Sequence, residues 1–266
     1  MKYFSRIGLT ALCATALPLT VFAQGNGNGN GNGNANGNAP ISNSCSSLPS
    51  QSDLKSALTT AVAAEGNTSG LNFNMWATIV DRDGIVCAVA FTGPDRGAQW
   101  PGSRVISAQK ANTANSFSLD GLALSTANLY APVQPGGSLF GLQESNPVAT
   151  SVAYKGPSKD FGTTTDPMVG NKIGGINVFG GGLGLYDVSS HVVGGLGVSG
   201  DTSCEDHTVA WRVRKLLGLD HLHGKGVSGN ADFPDNIIYN LANAFGHPNC
   251  PVPSTNPSSV PALAVQ

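Results

Sequence analysis

The stretch His191–Leu217, HVVGGLGVSGDTSCEDHTVAWRVRKLL, decides how the chain folds. Val192 to Val198 is a short apolar run bearing glycines, which reads as a buried strand. Thr202 with Glu205 three positions on forms a capping box, so a helix should begin here, with Thr202 and Ser203 both suited to its first turn. Val209, Ala210, Val213, Leu216 and Leu217 form one apolar stripe. Arg212, Arg214 and Lys215 complement the negative end of the helix dipole, and Gly218 supplies the stop. One strand thus feeds one helix packed on its own sheet.

Two motifs inside this stretch invite other readings. Gly195, Gly197 and Gly200 have the dinucleotide-binding spacing, and Asp220 stands where a ribose-binding acid belongs. In that motif, however, the helix starts within the glycines and meets the pyrophosphate, whereas here the cap follows the last glycine and places Glu205 and Asp206 where an anion would sit. Ser199 beside His207 suggests a hydrolase, yet Asp201 replaces the last glycine of a nucleophile elbow. Capping and turn chemistry account for both.

Lys2 and Arg6, the apolar run Ile7 to Phe22 and the small-residue site Val21-Phe22-Ala23 read as a secretory signal over residues 1–23, cleaved after Ala23. The Gly/Asn-rich tract that follows, assigned to residues 24–44, cannot bury enough apolar surface to fold and reads as a disordered leader. No later segment has the roughly 18 continuous apolar residues a membrane span requires, so a periplasmic or secreted protein without membrane insertion is expected. The whole chain has a formal net charge of −2 and no basic cluster, which argues against nucleic acid as a partner. Charged residues make up 11% of it, against about 25% in ordinary domains.

With Cys13 assigned to the signal, Cys45, Cys87, Cys204 and Cys250 remain, an even number that predicts two disulfides in an exported chain. Three pairings are open; because Cys45 and Cys250 flank the domain, Cys45–Cys250 with Cys87–Cys204 is favoured. Ser50 to Glu65 reads as a first helix with Leu54, Ala57, Leu58, Ala61 and Val62 as its stripe. Asn74 to Val80 and Ile85 to Phe91 read as a hairpin about Asp81-Arg82-Asp83-Gly84. Ser103 should cap a second helix reaching about Phe117. Leu119 to Lys172, full of Pro and Gly, reads as an irregular insertion of the kind that forms functional or oligomerising surfaces. Ile173 to Phe179 and Leu183 to Val188 add two strands before the central one. The order defines an α+β domain over residues 45–219 with a five-stranded antiparallel sheet flanked by helices. Residues 220–266 read as an accessory wrap, with a short helical piece near Asp235 to Ala244.

These residues resemble the GlcG/HbpS haem-binding proteins, the haem-degrading domain family. The likeness is carried by the Ile79 to Val89 strand pair with its DRDG turn, by Lys110-Ala111-Asn112-Thr113-Ala114, by Gly174-Gly175, and by Val193 to Gly200 followed by Asp206. It covers roughly Leu54 to Leu217 and implies a profilin-like fold, a tendency to form homo-oligomers, and haem as ligand. It also places Lys110 and Thr113 at the site, Lys110 toward a propionate and Thr113 as an oxygen ligand or a lining residue. His207, near a helix start, is the nitrogen donor best suited to the iron; His191, His221, His223 and His247 lie in loops or at ends.

Haem sequestration or sensing is therefore the first functional expectation. A cofactor-free exported oligomer, its interface around Trp100, Phe140 and Tyr154, is the second. The third is a haem-degrading or small-molecule enzyme using Asp81, Asp83, Glu205 or Asp206, although turn and cap chemistry explains most of these acids.

Overall fold

The structure, a computed structural model, describes residues 45–65, 70–250 and 263–266. The expected signal and the whole Gly/Asn-rich leader lie outside the described residues. Helix α1 (Gln51–Glu65) begins at a reciprocal cap, in which the Asp53 carboxylate accepts from the Ser50 N–H at 3.0 Å and the Ser50 hydroxyl accepts from the Asp53 N–H at 3.3 Å. Strands β1 (Trp76–Asp81) and β2 (Val86–Phe91) form the expected hairpin. The Asp81 carboxylate accepts from the N–H groups of Asp83 and Ile85, both at 2.9 Å, and Gly84 takes a φ of +76°.

Helix α2 (Ser103–Phe117) follows. Its N-cap is Gly102 without a side-chain bond, so Ser103 is the first helical residue rather than the cap. The insertion contains only one-turn pieces, among them α3 (Leu142–Ser145) and α4 (Thr150–Ala153). It is fastened to α2 by the buried Arg104–Asp166 pair: Arg104 Nε donates to Asp166 Oδ2 at 2.9 Å, Arg104 Nη1 donates to the Ala153 carbonyl at 2.8 Å, and the guanidinium lies 3.7 Å from the centre of the Phe161 ring. Strands β3 (Gly182–Tyr186) and β4 (Val192–Ser199) precede α5 (Ser203–Leu216). The Thr202 hydroxyl accepts from the Glu205 N–H, and Gly218, at φ +65°, ends α5 as expected.

The sheet is antiparallel with order β2-β1-β4-β3 and four strands, so β4 lies inside it, paired with β1 and β3 through Gly197 opposite Thr78 and Gly182. The fifth strand expected over Ile173 to Phe179 does not form. Gly174 and Gly175 have φ of +60° and +78°, which no extended strand tolerates, and Lys172 and Gly174 make only isolated bridges to Ile85 and Val148. Ile173, Ile176 and Val178 are buried nonetheless, in a loop folded under α2 and the insertion. The short helix expected near Asp235 to Ala244 is also absent. There the side chains of Asn236, Asn240 and Asn243 accept from the N–H groups of Ile237, Ala242 and Phe245 at 2.7, 3.0 and 2.8 Å, closing local turns that compete with a helix.

The disulfides join neighbours in the chain rather than its flanks. Cys45, in the turn before α1, is bonded to Cys87 on β2, over which α1 packs, and Cys204 in the first turn of α5 is bonded to Cys250. The favoured Cys45–Cys250 and Cys87–Cys204 pairing is thus corrected. Equal parity fits every pairing; only the docking of α1 on β2 selects one. Asp235 and Leu263, beyond Leu217, both contact α5. Arg214 and Asp235 form a fully buried bidentate pair at 2.6 and 2.9 Å, and the Trp211 indole donates to the Leu263 carbonyl at 3.1 Å. No helix among the described residues is long and apolar enough to cross a membrane.

Candidate functional site

The two faces of the sheet are covered by different chemistry. Ala77 and Ile79 of β1 join Leu54, Leu58, Leu183, Leu185, Val209 and Val213 in an apolar layer with α1 and α5. Trp76 and Val80, one register step away, face Val105, Ala108 and Ala111 of α2, and the Thr78 and Ser107 hydroxyls hydrogen-bond between them at 2.8 Å. A Cβ at Gly195 would collide with the Ala111 carbonyl and one at Gly197 with the Ser107 carbonyl. The glycines that imitate a nucleotide motif therefore admit the backbone of α2 against β4, a close approach that any side chain would block.

This approach buries Lys110 and Thr113. The Lys110 ammonium is 1% exposed and donates to Asp206 Oδ2 at 2.7 Å and to the Val198 carbonyl at 3.1 Å, linking α2, β4 and α5. Desolvation outweighs the attraction of the pair: it lowers the Lys110 pKa and raises that of Asp206 to about 6. Thr113 is fully buried; its hydroxyl donates to the Gln109 carbonyl at 2.7 Å and accepts from the Asn177 N–H at 2.9 Å. His207 is fully buried beside Trp211, ring centres 6.0 Å apart, with Asn236 as polar neighbour, and neither ring nitrogen is in hydrogen-bonding geometry with a described residue. Burial lowers its pKa to about 3, so the ring is neutral at physiological pH.

The outward side of the same α2 segment borders a cleft of about 450 Å³, lined among others by Asn112, Ser116 and Phe117 of α2, Leu142 and Pro147 of the insertion, and Ile176. Its floor is the Gly174-Gly175 turn, tied to α2 by the Asn112 amide, which donates to the Gly175 carbonyl at 2.8 Å, and just beyond it by Thr113. Lys110, Thr113 and His207 do not line this cleft. Thr113 braces its floor, Lys110 holds α2 in place behind it, and His207 belongs to the α5 core. Sequence reasoning missed Asn112 and Ser116. Their i, i+4 spacing beside the apolar face of α2 was the available signal.

Phe117, Leu142, Pro147 and Ile176 fit the planar apolar body of a porphyrin. The polar side chains among the lining residues, Asn112, Ser116, Ser145 and Asn146, carry amide and hydroxyl groups and supply oxygen donors only. Among the described residues one His/Cys/Asp/Glu group converges, Cys45, Asp81 and Cys87, and its two sulfurs are bonded to each other. Trp100, Phe140 and Tyr154 are 50%, 67% and 67% exposed on the single chain.

A four-stranded antiparallel sheet with α2 pressed on glycines and a motif-bearing cleft defines the class of the protein. Residues 52–214, well over half of the chain, match the model of the family described as haem degrading protein HbpS-like, and the chain belongs to that family. Solved structures similar to it include the Klebsiella pneumoniae protein ORFY (23% identity, TM-score 0.42, covering 64% of this chain and 90% of that one). A PduOC:haem complex is similar at 24% identity, with a TM-score of 0.43 and coverage of 65% and 96%. A double mutant of HbpS from Streptomyces reticuli is similar at 19%, with a TM-score of 0.42 and coverage of 64% and 88%. No curated protein matches the chain.

Proposed function

We propose that the protein binds haem in the cleft outside α2, as an exported haem-sequestering or haem-sensing factor. The observation that carries this reading is the position of the cleft. In a chain of the HbpS-like family, it is lined by Asn112, within the Lys110–Ala114 segment, and by the Gly174-Gly175 turn, two of the four motifs that carry the resemblance. Apolar walls from Phe117, Leu142, Pro147 and Ile176 hold the macrocycle, and Asn112 and Ser116 offer neutral oxygens at its edge. Thr113 and Lys110 act as positioning residues behind it. Export is supported by the two disulfides. Homo-oligomer formation through the exposed Trp100, Phe140 and Tyr154 surface is part of the same reading.

Titration of the purified protein with haemin tests it. A saturable Soret shift is expected, lost in Ser116→Trp, which fills the cleft from an exposed position on α2 and leaves the core untouched. His207→Ala should lower stability while the shift persists. Absence of saturation in the wild type, or an undiminished shift in Ser116→Trp, rejects the site.

A further inference from the structure

Axial bonds to haem iron usually come from imidazole, thiolate, thioether or phenolate groups, and no residue carrying one is among the described lining of the cleft outside α2. The polar side chains that do line it have their donors held by the protein. The Ser116 hydroxyl donates to the Asn112 carbonyl at 2.8 Å, the Ser145 hydroxyl donates to the Leu142 carbonyl at 3.2 Å, and the Asn146 amide donates to that same carbonyl at 2.8 Å. Neutral amide and hydroxyl oxygens are weak partners for iron beside an imidazole or a thiolate.

The nitrogen and sulfur side chains of the described residues stand elsewhere. All five histidines are described. His207 is buried in α5. His247 has Nδ1 2.7 Å from the Pro248 carbonyl and Nε2 3.3 Å from the Ser203 hydroxyl. His191 lies 2.9 Å from the Asp120 carboxylate and His223 lies 3.3 Å from that of Asp232, while His221 and His223 flank Leu222, which is buried with α1 and α5. Cys45, Cys87, Cys204 and Cys250 are closed in disulfides, and Met75 and Met168 are buried in the two apolar layers of the sheet.

Resting on the reading of the cleft outside α2 as the haem site, we infer that the protein grips the porphyrin ring rather than its iron, so that its ligand class includes metal-free porphyrins. Phe117, Leu142, Pro147 and Ile176 offer apolar surface to the flat macrocycle. Burial of that surface is the same whether or not a metal sits at the ring's centre.

Titration of the full chain with haemin and with metal-free protoporphyrin IX, followed by absorption and by porphyrin emission, tests the inference. The two dissociation constants are expected to agree within about threefold, and Ser116→Trp should weaken both alike. Alanine at each histidine in turn should leave the ratio of the two constants unchanged. This ratio is insensitive to lost stability in His207→Ala or His247→Ala, because both ligands meet the same folded fraction. The inference is overturned if haemin saturates while protoporphyrin IX binds more than about tenfold more weakly. It is equally overturned by a single histidine substitution that weakens haemin and spares protoporphyrin IX, or by a Ser116→Trp chain that loses haemin alone. Each of these results leaves haem binding itself standing. Failure of both ligands to saturate the wild type rejects the cleft as a haem site and this inference with it.

Discussion

The two sides of the sheet bury comparable helices by opposite means. Toward α1 and α5, leucine, valine and alanine side chains interdigitate, and the elements stand a side chain apart. Toward α2, Gly195 and Gly197 bring backbone against backbone, and the buried inventory includes Ser107, Lys110, Thr113 and Asn115. Apolar packing degrades gradually as atoms are removed, because the cost grows with the atoms lost and with the volume of the cavity left behind. A polar interface at backbone contact fails abruptly, because a group left unpaired keeps its full desolvation cost. The polar side also carries the cleft outside α2, so the less forgiving layer positions that surface.

The sharpest test of that contrast is Gly197→Val. Its side chain would drive α2 off β4, and the expected outcome is loss of the cooperative thermal transition and of soluble yield, well beyond the about 1–3 kcal/mol of ordinary overpacking. A stable, folded Gly197→Val would break the comparison. Next in size is Lys110→Met, which leaves Asp206 buried without its cation and should cost about 3–5 kcal/mol in urea unfolding. Adding Asp206→Leu to Lys110→Met should recover most of that loss. On the other side, Leu58→Ala should cost about 2–5 kcal/mol and show no such rescue by a neighbouring substitution.

The smallest effect is on pH dependence. Burial raises Asp206 to about 6, above the ordinary 3.8, so between these values the folded chain binds more protons at this group than the unfolded chain does. This group therefore adds stability as pH falls through about 6. The difference in thermal midpoint between the wild type and Asp206→Asn, followed from pH 7 to pH 4, should shift in favour of the wild type. An invariant difference would show that Asp206 is not shifted.

Much of the architecture could be read locally. The Thr202 cap, the Ser50–Asp53 cap and the DRDG hairpin are set within four or five residues, and each forms where expected. Local signals misled where distant groups decide. Ile173 to Phe179 reads as an apolar strand, but positive φ at Gly174 and Gly175 makes a loop that buries Ile173, Ile176 and Val178. The cysteine count predicted two bridges and left their partners open. Lys110 and Thr113 were legible as belonging to the site's helix; their burial was not, since a helix has one set of residues per face and only its neighbour determines which face is covered.

The amino-acid order by itself determined helices α1, α2 and α5 and the β1–β2 hairpin, because capping, turn and periodicity energies act over a few residues and need no partner. Tertiary structure alone decided that Gly197 admits the backbone of α2, that Lys110 answers Asp206, and that Asn112 and Ser116 face the cleft. Those outcomes depend on desolvation and on contact between segments far apart in the chain. Such forces exist only after the layers have closed.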